Sequence, residues 1–180
     1  MLIRHADPER DAAACAAIYA PFVSDSPVST EEEPPDAAAM AERITSYSET
    51  YPWLVAEHDG SIAGYAYGSQ HRLRPAYRWA ADVTVYVAAG HRRRGIGRSL
   101  YGALLPLLRE QGYHNACAGI TLPNEASVAL HESFGFRLVG VYREIAWKAG
   151  AWRDVGWWQR RLNPAGDDQP LDPGAPLTLG

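Results

Sequence analysis

The stretch that decides the fold is residues 84–99, TVYVAAGHRRRGIGRS, in which a strand pattern runs into an arginine-rich turn. Apolar and polar side chains alternate up to Val87, and helical spacing of apolar residues begins at Ile96. The first amides of a helix lack partners within the helix, and the helix dipole places partial positive charge there. Gly95 and Gly97 leave those amides open to close approach, and arginines surround them. The stretch therefore predicts a pyrophosphate cradle, formed by Arg92, Arg93, Arg94, Gly95, Ile96, Gly97, Arg98 and Ser99.

Two common nucleotide-binding motifs do not fit this stretch. It lacks the Lys-Ser/Thr pair that follows the last glycine of a Walker loop. It also fails the dinucleotide fingerprint, because Leu100 stands at the last glycine position and no acidic residue follows roughly twenty positions on. The spacing alone leaves one alternative open, an ordinary helix start with solvated arginines.

Charge is distributed unevenly along the 180 residues, whose net charge is −4. Residues 1–70 carry −9, residues 71–162 carry +8, and the tail from residue 163 carries −3. A partner with several negative charges, presented to the middle of the chain, fits this distribution. A nucleic-acid binder is the competing interpretation, but Lys148 is the only lysine and no RNA-binding motif is present. We therefore expect no nucleic-acid partner.

Length and composition favour a single globular domain. With 47% hydrophobic and 11% aromatic residues, most of the chain is expected to fold. No apolar run approaches the ~20 residues that cross a bilayer, and the first residues leave no room for a signal peptide. We therefore expect a cytoplasmic protein without a membrane partner, in which Cys15 and Cys117 are reduced.

Periodicity and turn residues predict the element order βααβββαβαββ, an α/β sandwich around one mixed sheet. Asp7-Pro8 marks a helix start, and Asp59-Gly60 between two apolar runs marks a hairpin. Residues 1–162 form the predicted domain. Residues 163–180, rich in proline, glycine and aspartate, form a tail that we expect to be disordered.

The chain resembles the GNAT superfamily of N-acetyltransferases, whose acetyl-CoA motif Arg-x-x-Gly-x-Gly follows a strand and begins here at Arg92. Within the superfamily it is similar to the phosphinothricin and methionine sulfoximine acetyltransferases over residues 2–162. The resemblance implies the GNAT acyl-CoA N-acyltransferase fold, an α/β fold with a mixed, mostly antiparallel sheet of about seven strands, four flanking helices and splayed central strands. The matching segments are YPWLVAE at 51–57, TVYV at 84–87, LPN at 122–124, HE at 131–132 and WRDVG at 152–156.

The same resemblance implies acetyl-CoA as the co-substrate and no metal. Val85, Tyr86 and Val87 would contact the pantetheine arm along the splayed strand, and residues 92–99 would hold the pyrophosphate. Asn124 would hydrogen-bond the pantetheine chain, with Ser127 beside it on the same helix. An ordinary helix N-cap is the alternative role of Asn124.

Transfer of an acetyl group to an amine needs the neutral amine, which a general base can supply. Related enzymes place Glu two residues before Thr-Val-Tyr-Val, where this chain has Asp82, on the same strand face as Tyr86. We predict Asp82 as the base, acting through a water, with capping of the strand edge as its alternative role. His131 would protonate or stabilise the CoA thiolate unless it is a structural histidine, and Tyr86 is the third catalytic candidate. Cys117 is expected in the core, which predicts direct transfer in a ternary complex.

Arg74, Tyr77 and Arg78 precede the strand of Asp82 and resemble the Arg-x-Ala-Tyr segment of the phosphinothricin enzymes. They are predicted to bind a carboxylate or phosphinate of the substrate, and a solvated basic loop is the alternative. Residues 28–34 lack the Phe that relatives carry, which is a departure from phosphinothricin recognition.

The predicted function is acetylation of the α-amino group of a small amino-acid-like molecule of the phosphinothricin or methionine sulfoximine/sulfone type. A non-catalytic acyl-CoA sensor, or a GNAT enzyme for a different small amine, is the alternative. Four tryptophans near the C-terminal strands belong either to the core or to the face of a homodimer, the assembly of relatives; they are Trp147, Trp152, Trp157 and Trp158.

Overall fold

Seven strands form one mixed sheet in the computed structural model, which describes residues 1–164, 166 and 170–179. The sheet order is β1-β2-β3-β4-β5-β7-β6, and every neighbouring pair is antiparallel except β4–β5. This confirms the predicted fold class. The strands are β1 (Leu2–His5), β2 (Trp53–His58), β3 (Ser61–Gln70), β4 (Ala80–Val87), β5 (Asn115–Leu122), β6 (Arg137–Lys148) and β7 (Ala151–Arg161). The helices are α1 (Pro8–Ser24), α2 (Ala37–Ser48), α3 (Ile96–Glu110) and α4 (Glu125–Ser133).

Helix boundaries follow the capping residues of the sequence. The Asp7 carboxylate accepts from the amides of the first turn of α1, and Asp36 accepts from the Ala39 amide at 2.8 Å. Gly95, by contrast, precedes α3 with a φ of +79° and supplies no side-chain cap. Because only glycine adopts this conformation without strain, the turn ends there and the first amides of α3 stay open to a ligand.

The sheet is covered by helices on both faces. Cys15, Tyr19 and Ile44 of α1 and α2 pack against Trp53 and Tyr65 on one face. On the other face α3 buries a continuous apolar stripe against β2, β3 and β4. Burial of each large side chain in these two clusters contributes roughly 1.5–3 kcal/mol, so the core fixes the positions of β4 and α3. The stripe of α3 consists of Ile96, Leu100, Leu104, Leu107 and Leu108.

The two central strands part in the middle of the sheet. β4 and β5 pair only from Ala80 to Asp82, opposite Asn115 to Cys117. Beyond this point β4 continues against β3 as far as Val87, and β5 continues against β7. Residues 83–87 therefore have one edge without a neighbouring strand, which confirms the splay implied by the resemblance.

The described part of the tail lies against the domain as coil. Gly174 exchanges two hydrogen bonds with Gln111, one between backbones at 2.7 Å and one from the Gln111 amide at 3.0 Å. The Trp79 indole donates to the Leu171 carbonyl at 2.8 Å, and Arg78 pairs with Asp172 at 2.5 Å. The disorder predicted for residues 165, 167–169 and 180 lies outside the described residues. Over the described ranges no helix is long and apolar enough to span a bilayer.

Candidate active site

A cavity of about 790 Å³ opens along the free edge of β4, at the start of α3. The C-terminal half of α1 and the start of α4 complete its wall. Its lining includes every residue predicted to bind acetyl-CoA except Arg94 and Ser99. Those on the lining are Val85, Tyr86, Val87, Arg92, Arg93, Gly95, Ile96, Gly97, Arg98, Asn124 and Ser127.

The turn before α3 has the geometry and charge of an anion site. Arg93, with a φ of +62°, and Gly95 bend the backbone through the left-handed region. Arg92 and Arg98 lie over aromatic rings, at 5.3 Å from the Phe22 centroid and 5.6 Å from the Phe134 centroid respectively. These contacts hold two guanidinium groups beside the open amides, where both favour phosphate. Arg94 is exposed and lies off the lining.

Asn124 performs the capping role that the sequence left open. Its Oδ1 accepts from the Ser127 amide at 3.2 Å at the start of α4. Because the same side chain lines the cavity, its amide nitrogen remains available to a ligand, so the two predicted roles are compatible.

His131 lies one turn after Ser127 in α4, and both of its ring nitrogens have partners. Nδ1 lies 2.7 Å from the Ser127 carbonyl oxygen and Nε2 lies 2.9 Å from the Tyr101 hydroxyl. The carbonyl can only accept, so Nδ1 carries the proton and Nε2 accepts from Tyr101. Burial lowers the pKa of His131, and the bond to Ser127 opposes that effect. The side chains of His131 and Tyr101 both line a small cavity between β4 and β5, at the splay. The neutral imidazole is therefore hydrogen bonded to a second residue of the same cavity.

Tyr86 lies on β4 inside an aromatic cluster. Its ring centroid is 4.7 Å from that of Tyr19 and 4.9 Å from that of Phe22. Burial raises the pKa of Tyr86 well above the ordinary phenol value, so the hydroxyl is a hydrogen-bonding group and keeps its proton. The side chain faces both the acetyl-CoA cavity and the splay.

Asp82 lies at the point where β4 and β5 part, and it is hydrogen bonded. Its Oδ1 is 2.6 Å from Nδ1 of His71, the residue that follows β3. Burial raises the pKa of the Asp82 carboxyl, while the hydrogen bond from His71 and the charges of His71 and Arg72 work in the opposite direction. The thiol of Cys117 lies within 4.8 Å of the donor atoms of both residues.

His, Asp and Cys are also ligand types of transition metals. Two ligands of one tetrahedral zinc ion stand roughly 3.3 Å apart, as bonds of ~2.0 Å require. The 2.6 Å separation of His71 and Asp82 is that of a hydrogen bond. Beside the pair, burial raises the pKa of the Cys117 thiol to about 11. The arrangement is therefore that of a hydrogen-bonded carboxylate–imidazole pair beside a thiol.

A second cavity, of about 390 Å³, opens beside this pair. It lies on the same sheet face as α1 and α2, which cover that face at β2 and β3. The guanidinium of Arg72 stands over the Trp157 ring at 5.1 Å on its wall. The predicted substrate residues Arg74, Tyr77 and Arg78 are not among the residues that line it. Arg74 is exposed, Tyr77 contacts the His71 ring edge-on at 5.9 Å, and Arg78 is paired with the tail.

Sequence reasoning missed His71, Arg72 and Trp157. Position 71 directly follows β3, and Ser69 pairs with Asp82 across β3 and β4. The nine residues between the two strands leave this register open, because only short hairpin loops fix the register. The sequence nonetheless held a signal of a functional site, because His71 and Arg72 are polar groups that directly follow a strand, and a strand holds such groups in fixed positions.

Comparison with known proteins agrees with this geometry. The family profile of the acetyltransferase (GNAT) domain matches residues 3–157. Phosphinothricin N-acetyltransferase of Streptomyces viridochromogenes is 38% identical over 163 residues, which cover 91% of this chain and 89% of that protein. An L-methionine sulfoximine/L-methionine sulfone acetyltransferase of Pseudomonas aeruginosa is 34% identical over 82% of this chain and 87% of its own length.

A solved structure is also similar over nearly the whole chain. It is a GNAT superfamily phosphinothricin acetyltransferase from Sinorhizobium meliloti in complex with AcCoA. The two superpose with a TM-score of 0.89 at 32% identity, and the match covers 94% of this chain and 92% of that one.

Proposed function

The chain belongs to the GNAT acetyltransferase family and is an acetyl-CoA-dependent N-acetyltransferase, and we propose that its acceptor is the α-amino group of a small amino-acid-like molecule. Molecules of the phosphinothricin and methionine sulfoximine/sulfone type are the first candidates, since two similar proteins carry those names. The observation that carries the proposal is the parting of β4 and β5 at Asp82. It leaves an acetyl-CoA cavity along the free edge and a second cavity beside the apex.

Acetyl-CoA binds with its pyrophosphate at the turn before α3 and its pantetheine arm along β4. The open amides of α3, with Arg92 and Arg98, supply positive charge to the phosphates. The unpaired edge of residues 83–87 offers backbone groups to the amides of pantetheine, as a neighbouring strand would. The thioester then lies near Asp82, with Tyr86 beside it.

The acceptor occupies the cavity of Arg72 and Trp157. A carboxylate pairs with the guanidinium of Arg72, and the stem of the acceptor lies against Trp157. The amino group then points to the His71–Asp82 pair. Tyr77, which contacts His71, and the exposed Arg74 lie on the connection after β3, and we assign both to the longer side-chain groups of an acceptor.

Transfer is direct, from acetyl-CoA to the amine in a ternary complex. The one thiol near the apex, Cys117, is buried, with its pKa raised to about 11, so it is a poor nucleophile at neutral pH. Lines of initial velocity that intersect, together with an unchanged protein mass after incubation with acetyl-CoA alone, would agree with this. Parallel lines and a mass gain of one acetyl group would contradict it.

The experiment that tests the function is release of the CoA thiol across a panel of amino acids and analogues. The panel holds phosphinothricin, methionine sulfoximine, methionine sulfone and the ordinary amino acids, each with its carboxamide derivative as a matched control. We expect turnover with some free acids and loss of activity with their carboxamides. Saturable CoA binding without thiol release in the presence of any amine would instead indicate an acyl-CoA sensor. Equal activity with the free acids and their carboxamides would contradict the proposed contact between the acceptor carboxylate and Arg72.

The protein is proposed to act as a cytoplasmic homodimer, with residues 1–162 as the catalytic domain. The β6–β7 hairpin supports the dimer, because its apolar side chains lie in solvent. Trp158 is buried and Trp157 lines the second cavity, whereas Trp147 and Trp152 are exposed and contact each other at 5.5 Å. Light scattering of Trp147→Glu/Trp152→Glu tests this, since a mass unchanged from the wild-type dimer would exclude the face. The other exposed members are Leu138, Val139, Tyr142 and Ile145.

A further inference from the structure

We propose that His71 takes the proton from the acceptor amine, and that Asp82 is the positioning residue that holds its ring. This inference rests on the proposed function and assigns the base within it. The sequence motifs described above indicate no role for His71 and no contact between His71 and Asp82. The inference comes from the contacts around the apex of the splay.

The first step concerns the reach of Asp82. Aspartate has one methylene fewer than the glutamate that similar enzymes place two residues before Thr-Val-Tyr-Val. Its carboxylate therefore ends about 1.5 Å, one carbon–carbon bond, closer to the strand. In this chain Oδ1 is already bonded to His71 at 2.6 Å. A carboxylate that is short and occupied is a poor direct base, and the imidazole extends it outward.

The second step concerns the tautomer of His71. An ionised carboxylate only accepts hydrogen bonds, so Nδ1 carries the proton and donates to Asp82. Nε2 then bears a lone pair, and within the described ranges of the chain no side chain donates to it. This is the arrangement in which a buried carboxylate fixes the tautomer and stabilises the imidazolium that forms, as in hydrolytic triads.

The third step concerns rigidity and surroundings. Two aromatic rings hold the imidazole edge-on, Trp157 at 5.6 Å and Tyr77 at 5.9 Å. The side chain is 15% exposed and lines the second cavity, where it can contact a bound amine. The titratable and charged groups around the pair are Asp82, Arg72, Cys117 and Tyr77, with Tyr51 acting on Asp82 at longer range.

The proton balance follows from these positions. One proton of the acceptor ammonium passes to Nε2, giving an imidazolium whose charge faces the Asp82 carboxylate. The neutral amine attacks the thioester carbonyl, so the C–N bond forms, and the C–S bond breaks as the intermediate collapses. The nitrogen loses its second proton, the sulfur gains one to become the CoA thiol, and the imidazolium releases its proton to water. No oxidant or metal enters the balance.

The test uses full-length protein and the best acceptor from the panel, with thiol release measured from pH 6 to 9.5. His71→Ala should lower kcat/KM for the amine at pH 7 by about 10²- to 10⁴-fold, the usual contribution of a general base. The deficit should shrink as pH rises and solvent deprotonates the amine. Added imidazole should restore at least about tenfold in His71→Ala, because the freed space lies beside Asp82. Titration calorimetry should show unchanged CoA affinity.

Three further variants separate the base from a structural histidine. Asp82→Asn should lose activity and gain nothing from imidazole, since the ring then lacks its carboxylate. His71→Phe/Asp82→Glu should recover part of the activity lost by His71→Phe, because the longer carboxylate reaches the amine itself. His58→Ala is the matched control, since His58 also stands beside an aspartate, Asp59, at 3.6 Å, on the β2–β3 hairpin. It should retain wild-type activity.

The outcomes distinguish the two proposals. A wild-type protein that releases no thiol with any amine would overturn the proposed function and this inference with it. An active wild type with His71→Ala within about threefold at pH 7 would overturn the inference alone. So would a loss that is equal at all pH values and unaffected by imidazole, because a structural role predicts that pattern.

Discussion

Replacement of Gly97 by alanine should change the affinity for the cofactor without changing the stability of α3. Gly97 lies in the first turn of α3, and a Cβ at this position would stand 3.3 Å from Leu130 Cδ2. The same methyl would lie 3.7 and 3.8 Å from the Cγ2 atoms of Val87 and Val85. All of these residues line the acetyl-CoA cavity. The methyl therefore enters the space between β4 and α4 that we assign to the cofactor.

The magnitude follows from what the methyl displaces. Alanine is favoured over glycine in helices by about 1 kcal/mol, and the close contact with Leu130 offsets part of this, so stability should change little. If the cofactor loses one hydrogen bond between a charged oxygen and an open amide, the loss is roughly 1.5–3 kcal/mol. That corresponds to a rise in the Kd for CoA of about 10- to 150-fold.

Gly102 provides the matched control in the same helix. It is exposed, and a Cβ there would meet nothing within 4 Å. Gly102→Ala should raise stability by about 1 kcal/mol and leave the Kd for CoA unchanged. Titration calorimetry with CoA and urea unfolding of both variants measure the two quantities. A Gly97→Ala variant with a Kd within about twofold of wild type would refute the placement of the cofactor against α3.

Four further substitutions test the caps and the buried titratable groups. Asn124→Ala and Asp36→Ala each remove an N-cap and should lower stability by about 1 kcal/mol, but only Asn124→Ala should raise the KM for acetyl-CoA. Asp11 is 1% exposed and receives two hydrogen bonds from Arg4, at 2.6 and 2.7 Å. Burial would raise the pKa of Asp11, but the bonds from Arg4 and the Asp7 amide lower it, so its stabilisation is present at neutral pH and lost as pH falls through that lowered value. Asp11→Asn should accordingly lose about 3–5 kcal/mol in urea at pH 7 and much less near pH 3. Burial lowers the pKa of both His131 and His5, so wild-type stability should fall as pH drops below the ordinary histidine range. His131→Gln should make that slope shallower in urea unfolding followed from pH 8 to 5, because only the His5 contribution then remains of the two.

Most of the fold follows from local sequence signals. The period-2 pattern of β4 and the glycine that opens α3 place a strand and a helix start in the right order. Asp59-Gly60 turns the β2–β3 hairpin with both residues at positive φ, as the pair requires. These signals are local because each depends on a residue's own backbone preference or its spacing along one face.

The acceptor side of the site follows less well, because it depends on contacts between distant segments. The partnership of His71 with Asp82 needs the β3–β4 register, which a nine-residue connection leaves open. Whether a tryptophan of β7 is covered depends on where α1 and α2 end over the sheet. Trp158 belongs to the core on the α3 side, whereas the ring of its neighbour Trp157 faces the opposite side and lies under the Arg72 guanidinium. Alternation assigns the two to opposite faces but cannot say which face is covered.

The unpaired edge of β4 has a consequence for the lifetime of the protein in a cell. Without a ligand, water must satisfy the backbone groups of residues 83–87 on that side. Beyond the splay, β4 is paired only with β3 and β5 only with β7. A cofactor bound along this edge, as we propose, would take the place of the missing neighbouring strand, and at a concentration of about 100 times its Kd it would add about 2.7 kcal/mol to the stability of the folded state. Transient opening, and with it proteolysis, should therefore slow by about a hundredfold when the CoA pool is full. Cells depleted of CoA and its thioesters would then lose the enzyme as well as its substrate.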